Sequence, residues 1–193
     1  MSTYDLNREL DKVKAKVFIG SSSAFLGSIM CSLNFSWDET IPTACTDGLN
    51  LKFNAHFFTG LVPDSRKTVL VHELWHVARM HSIRRGDRDP KNWNYACDIR
   101  INNDLENEGF TFEGMEWCWK DQSVDENGIL CEEDMYDLLM KGKIKKPKTG
   151  SWGDLSGKGD LTETDEINNT SKQQIINVVA QAVQQATLAG QAG

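Results

Sequence analysis

His72, Glu73 and His76 form a His-Glu-x-x-His motif near the middle of the chain. On an α-helix, residues four apart share one face, so the two imidazoles could bind the same metal ion. Glu73 is rotated by about 100° from His72, which puts its carboxylate beside the ion rather than on it. There it could accept a proton from a water molecule that the metal makes acidic. The motif predicts metal-assisted hydrolysis, the chemistry of zinc proteases.

The residues around this motif favour a buried helix. The segment from Val69 to Met80 contains neither Gly nor Pro, and apolar residues flank both histidines. Asp64 and Ser65 offer a helix cap, so we expect the motif helix to run from about 65 to 83. A polar patch on a core helix is the alternative that such a short motif leaves open.

A catalytic zinc site uses a third protein ligand and keeps an open position for water. On the following predicted helix, Asn94, Asp98 and Asn102 form a polar stripe at four-residue spacing. We expect Asp98 to supply the third ligand. Asn102, one turn later, could orient a ligand histidine through its second ring nitrogen. The structural alternative is that Asp98 pairs with a nearby arginine: Arg84, Arg85 or Arg100.

His81 is the competing third ligand. It lies nine residues after His72, which on a continuous helix is the opposite face. Reaching the metal would require the helix to stop soon after His76, and residues 77–80 contain no Gly to turn the chain. We therefore expect His81 to cap the helix, line the cleft or face solvent. Three nearby side chains are candidates for stabilising the oxyanion of hydrolysis: His81, Tyr95 and Arg79.

The rest of the pattern predicts an α+β fold. Helical segments are expected over 3–18, 24–32, 90–109, 130–140 and 171–188. Alternating stretches over 33–37, 41–46 and 49–54, with a turn at Asp47-Gly48, predict a small and mostly antiparallel sheet packed on these helices. The last strand could be an edge to which an extended peptide adds, with plain sheet core as the alternative.

Composition divides the chain into three parts. We expect a hydrolase-like domain over 1–140, a flexible linker over 141–169 and an Ala- and Gln-rich helix over 170–193. That helix could pack back on the domain or bind a protein partner.

Charge and cysteine content narrow the functional classes. A net charge of −7 argues against a nucleic acid or a membrane surface as partner. Five cysteines without paired spacing, and an N-terminus that reads as a charged helix rather than a signal peptide, favour a reducing cytoplasm.

The order of several segments resembles a known family, the putative metallopeptidase domain that often precedes a von Willebrand factor A-like domain in bacterial and phage proteins. The matching segments fall between roughly 20 and 140: Thr46-Asp47-Gly48, Phe53-Asn54, His72-Glu73-Leu74-Trp75-His76-Val77 with His81 and Arg84, Trp93-Asn94-x-Ala96-x-Asp98-x-x-Ile101-Asn102, and Glu133-x-Met135-Tyr136. The resemblance implies a zincin-like fold, a zinc ion and hydrolysis of peptides or proteins. It places Asp98 on the family's similar Asp.

The sequence therefore predicts a zinc-dependent metallopeptidase. His72, His76 and Asp98 would hold the ion, and Glu73 would act as general base. The alternative is a zinc-stabilised module without turnover, which serves as a scaffold through its C-terminal helix.

Overall fold

The structure is a computed structural model that describes residues 3–20, 22–125, 128–144 and 168–190. Its α-helices and β-strands are, in chain order, α1 (Thr3–Val17), α2 (Ser23–Ser32), β1 (Asn34–Trp37), β2 (Ala44–Thr46), β3 (Asn50–Phe53), α3 (Ala55–Gly60), α4 (Pro63–Ala78), α5 (His81–Arg84), α6 (Pro90–Asn107), α7 (Glu132–Met140) and α8 (Asn169–Leu188), and a short 3-10 helix covers Gln122–Val124. This is an α+β arrangement, as predicted. Most of the linker expected over 141–169 lies outside the described residues.

Local signals explain where the two site-bearing helices begin. At the start of α6, the Asp89 side chain accepts a hydrogen bond of 2.8 Å from the backbone N–H of Asn92, and Pro90 occupies the first helical turn. Both features stabilise a helix N-terminus, because the cap satisfies a backbone donor and proline has none to lose. α4 also begins with a proline, Pro63, but its N-cap is Val62 and not Asp64 or Ser65 as expected, and no side chain caps it.

The sheet is mixed, which corrects the expectation of a mostly antiparallel one. Its strand order is β1-β3-β2. β2 and β3 form the predicted antiparallel hairpin. Inside its turn, the Asp47 side chain accepts hydrogen bonds from the backbone N–H groups of Leu49 and Asn50. β1 instead pairs with β3 in parallel, with Asn34 opposite Asn50.

β3 is therefore the middle strand of the described sheet. Of the two alternatives for this strand, plain sheet core is correct and the edge is wrong. Its inward side chains, Leu51 and Phe53, are fully buried. Phe53 packs edge-to-face on Phe58 of α3, and Trp37 of β1 packs on Phe58 in the same way. This aromatic group ties the sheet to the core beneath α4.

Two cores meet at α6. Ile101 and Leu105 belong to the larger core, shared with the sheet, α1, α2 and α4. Tyr95 and Ile99 belong to a smaller core that α6 forms with α7, where Met135 is fully buried. The polar stripe of α6 is thereby enclosed between apolar surfaces, because residues on both of its sides are covered.

α8 packs back on the domain, mainly against α2. Ile175, Ala182 and Ala186 are its buried residues. Val183 lies eight residues after Ile175 and is 48% exposed. Eight residues correspond to about 80° past two full turns, whereas seven fall about 20° short, so Ala182 takes the inner position. None of the described helices is both long and apolar enough to cross a bilayer.

Candidate metal centre

α4 and α6 bring together one atom each of His72, His76 and Asp98, and these three atoms could hold a metal ion. Nε2 of His72 and Nε2 of His76 lie 3.0 Å apart. Oδ1 of Asp98 lies 3.7 Å from the first nitrogen and 3.3 Å from the second. A point about 2 Å from all three atoms exists in this triangle, which is close to the distances that zinc prefers from nitrogen and oxygen.

Asn102 orients the His72 ring. Its Nδ2 donates to the backbone oxygen of Trp119 over 3.1 Å, so its Oδ1 is the atom that faces Nδ1 of His72 at 2.9 Å. An amide oxygen can only accept. The proton of His72 is therefore on Nδ1, and Nε2 presents a lone pair to the site.

A longer hydrogen-bond chain orients the His76 ring. Nε2 of His81 lies 3.2 Å from a carboxylate oxygen of Glu132, and Nδ1 of His81 lies 2.9 Å from Nδ1 of His76. A carboxylate only accepts, so Nε2 of His81 carries a proton. When His81 is neutral, its Nδ1 accepts from Nδ1–H of His76, which leaves Nε2 of His76 with a lone pair.

Asn94 holds the Asp98 carboxylate. Its Nδ2 donates to Oδ2 of Asp98 over 3.0 Å, so Oδ1 is the oxygen turned towards the histidines. Two of the three arginines that could have paired with Asp98 pair with other carboxylates, Arg84 with Glu132 and Glu133 and Arg100 with Asp104 and Asp125.

These residues fit a transition-metal ion. Two ring nitrogens and one carboxylate oxygen all present lone pairs to the same point. Within the described part of the chain, Oδ1 of Asp98 is buried and receives no hydrogen bond. Three converging acceptors repel one another in a dry environment unless a cation lies between them. Imidazole together with carboxylate is a donor set suited to zinc and related metals.

The end of α4 corrects the expectation of a helix running to 83. α4 stops at Ala78, and Met80 takes the left-handed conformation with φ 52° and ψ 39°. That turn starts α5 at His81 and brings its ring back onto His76. A glycine normally fills such a position. Here the contacts of His81 hold the turn, including a 2.9 Å hydrogen bond from the Trp93 indole to the backbone oxygen of His81.

The remaining candidates lie in different places. Glu73 is fully buried on α4 beside His72. His81 is also fully buried, so the option that it faces solvent is wrong. Tyr95 packs in the α6–α7 core, 6.0 Å between ring centroids from Trp119. Arg79 is held by two carboxylates, those of Glu132 and Asp104.

Glu132 is the residue of this region that the sequence did not single out. It lies 51 positions after His81 and opens α7. Its neighbours Glu133 and Asp134 make the segment read as an ordinary acidic first turn, which any helix favours. Its burial is the distinguishing property, because Glu132 is only 5% exposed and paired with His81, Arg79 and Arg84.

Burial and pairing set the charge states. Burial lowers the pKa of His76 to about 3, with the Asp98 carboxylate opposing the shift. Burial likewise lowers the pKa of His81, and Glu132 opposes it. For Glu132, burial alone would raise the pKa, but the contacts with His81 and Arg79 hold it below the usual range. At neutral pH the His76 and His81 imidazoles are thus neutral and Glu132 is ionised.

Comparison with known proteins agrees with this site. The chain matches the family described as "Putative metallopeptidase domain" over residues 7–192 and belongs to that family. No curated protein and no solved structure matches it.

Proposed function

We propose that this member of the metallopeptidase-domain family is a zinc-dependent peptidase. The observation that carries the proposal is the convergence of Nε2 of His72, Nε2 of His76 and Oδ1 of Asp98 on one point. In each ligand side chain the other polar atom is already held, by Asn102, His81 and Asn94 respectively. Such outer contacts are typical of functional metal sites.

Besides a metal ion, the reaction needs a side chain that accepts and then donates a proton. A zinc ion held by the three side chains would acidify a water molecule and polarise the scissile carbonyl. Glu73 accepts the proton of the attacking water and then donates it to the leaving nitrogen as the C–N bond breaks. The adjacent position of Glu73 on α4 supports this role, because a residue next to a ligand lies beside the ion rather than opposite it.

The test combines metal content with turnover. We expect about one zinc per chain by elemental analysis of protein purified without a His tag, and cleavage of a dye-labelled unfolded protein such as casein. Glu73→Gln should lower the cleavage rate by about 10²-fold or more while the zinc content stays unchanged. Glu39→Gln, at an exposed position, is the matched control. Zinc-free wild type after reconstitution would overturn the proposal.

One observation favours a second function, a zinc-stabilised binding module without turnover. Each candidate ligand side chain and Glu73 is at most 1% exposed, and such deep burial favours a metal that stabilises the fold over one that a polypeptide substrate must reach. This function predicts zinc in wild type, no peptidase activity, and a Glu73→Gln variant that behaves as wild type. A partner would then contact the outer face of α8, where Ile176, Val183 and Leu188 are exposed.

A further inference from the structure

α7 reaches the candidate metal centre through the side chain of Glu132. Glu132 is the first residue of α7, and its Oε1 accepts from Nε2 of His81 over 3.2 Å. His81 in turn accepts from the His76 ring over 2.9 Å. The hydrogen bonds therefore run in one direction, from His76 through His81 to Glu132, and connect a ligand on α4 with a carboxylate from a helix more than fifty residues later.

Two arginines fix the position of this carboxylate. Arg79 donates to Oε1 of Glu132 over 3.2 Å, and Arg84 donates to Oε2 over 2.8 Å. Both arginines also bind a second carboxylate, Asp104 and Glu133 respectively. The Glu132 carboxylate is thus nearly enclosed and held ionised, and an ionised carboxylate accepts hydrogen bonds but donates none.

The direction of the chain has a consequence for the ligand. Because Glu132 can only accept, it keeps the proton of neutral His81 on Nε2 and leaves Nδ1 as an acceptor. That acceptor keeps the His76 proton on Nδ1 and makes Nε2 more basic, as carboxylates do for metal-bound histidines. If His81 carried its proton on Nδ1 instead, it would compete with the His76 proton and turn that ring away.

We propose that Glu132 is a positioning residue for the metal, which acts on the ligand His76 through His81. The inference rests on the proposed function only in that it requires a metal at His72, His76 and Asp98. It assigns to α7 a role in metal retention. Glu132 itself is not one of the three candidate ligands.

Metal affinity tests this directly. Zinc affinity would be measured on the full chain by competition with a chromophoric chelator, and cobalt would be added as a spectroscopic probe of ligand geometry. We expect Glu132→Gln to weaken zinc binding about tenfold, at the lower end of the 10–100-fold range for such outer contacts, and to change the visible cobalt spectrum. Helical content by circular dichroism checks that the variant is folded.

Glu133→Gln is the matched control. Glu133 is adjacent to Glu132 and binds the same Arg84, and His81 is paired with Glu132. Replacing Glu133 removes one negative charge from the same helical turn and one ion pair from the same arginine. We expect zinc affinity and the cobalt spectrum to stay at wild-type values, so a purely electrostatic effect of lost charge is separated from the hydrogen-bond chain.

A second pair of variants shows whether Glu132 acts through His81. His81→Asn offers an acceptor near the position of Nδ1 and removes the link to Glu132, so we expect zinc binding about 10–100-fold weaker than in wild type. Adding Glu132→Gln to His81→Asn should then cost no further affinity, because residues acting in one chain are not additive. If Glu132→Gln does not fold, the zinc affinity of His81→Asn tests the role of the hydrogen-bond chain instead.

The outcomes separate this inference from the function on which it rests. Wild type that binds no zinc overturns both. Zinc bound by wild type with unchanged affinity and cobalt spectrum in Glu132→Gln or His81→Asn overturns the role of Glu132 alone. Equal losses in Glu132→Gln and Glu133→Gln, or additive losses in the double variant, would also overturn it.

Discussion

Nδ2 of Asn94 donates to Oδ2 of Asp98 over 3.0 Å, one helical turn along α6. The bond turns the other oxygen towards the two histidines and makes Asp98 a one-oxygen donor. Asn102 holds His72 from the same helix, one turn later in the chain. α6 thus provides one candidate ligand and two of the three orienting contacts, so contacts within the protein already hold the three candidate ligands in position.

Replacing Asn102, which orients the His72 ring, should weaken metal binding without abolishing it. We expect Asn102→Leu to lower zinc affinity about 10–100-fold, because His72 loses the acceptor that keeps its proton on Nδ1. Asn102→Asp keeps an acceptor at that atom and should retain more affinity than Asn102→Leu. Chelator competition measures both.

Asn107 offers the control for this prediction, since it lies on the same helix in an exposed position. Asn107→Leu should bind zinc as wild type does. Equal affinity of Asn102→Leu and wild type would contradict the orienting role.

Acid should destabilise the metal-free protein. The His76 pKa of about 3 lies below its ordinary value of 6.5, and burial lowers the His81 pKa in the same direction. The unfolded chain therefore binds more protons than the folded one as pH falls below 6.5, which favours unfolding. Each such histidine contributes up to about 1.4 kcal/mol per pH unit. Urea unfolding between neutral pH and pH 5 measures the slope.

His81→Asn removes one of the two buried histidines that take up a proton on unfolding. The free energy of unfolding should then depend less steeply on pH than in wild type. A free energy of unfolding that is flat between neutral pH and pH 5 in the metal-free protein would contradict buried neutral histidines.

Met80 carries backbone strain that a substitution can release or increase. A left-handed conformation costs an ordinary residue roughly 1–2 kcal/mol and costs glycine little. We expect Met80→Gly to unfold at an equal or higher urea concentration than wild type. Met80→Val should lower the free energy of unfolding by about 1–2 kcal/mol, because a β-branched residue fits this conformation poorly. Met140→Val, at an exposed position, is the control.

The packing of α8 on α2 should matter for stability and not for the metal. Ala182 is fully buried whereas Gln181 is exposed. Ala182→Asp buries an unpaired carboxylate and should cost about 3 kcal/mol or more. Gln181→Asp should stay within about 0.5 kcal/mol of wild type. Thermal unfolding compares them, and an unchanged Tm in Ala182→Asp would show that α8 does not pack as the structure has it.

The six longer α-helices of the described residues could be predicted because their signals are local, whereas the short helices α3 and α5 were not predicted. Apolar spacing and the Asp89-Pro90 start place α6 to within two residues of its observed end. The polar stripe of Asn94, Asp98 and Asn102 is also visible in the sequence, since a four-residue spacing puts side chains on one face.

The rest depends on contacts between distant segments. The alternation in β1 shows that it is a strand but does not specify the direction of its partner. No glycine or proline marks the end of α4 in the sequence. The left-handed turn at Met80 is instead held by contacts of His81 with His76, Glu132 and Trp93. Glu132 was missed for the same reason, since its burial arises only when α7 meets α5.

The packing of α8 on α2 also sets an order of events during synthesis. The three candidate ligands and Asn102 have all been translated by the end of α6, whereas α8 is the last described helix to be made. A ribosome adds about 5–20 residues per second, so the face of α2 that α8 covers stays bare for on the order of ten seconds. All the candidate ligands are thus present in the nascent chain while the apolar face of α2 is still exposed and could contact other chains.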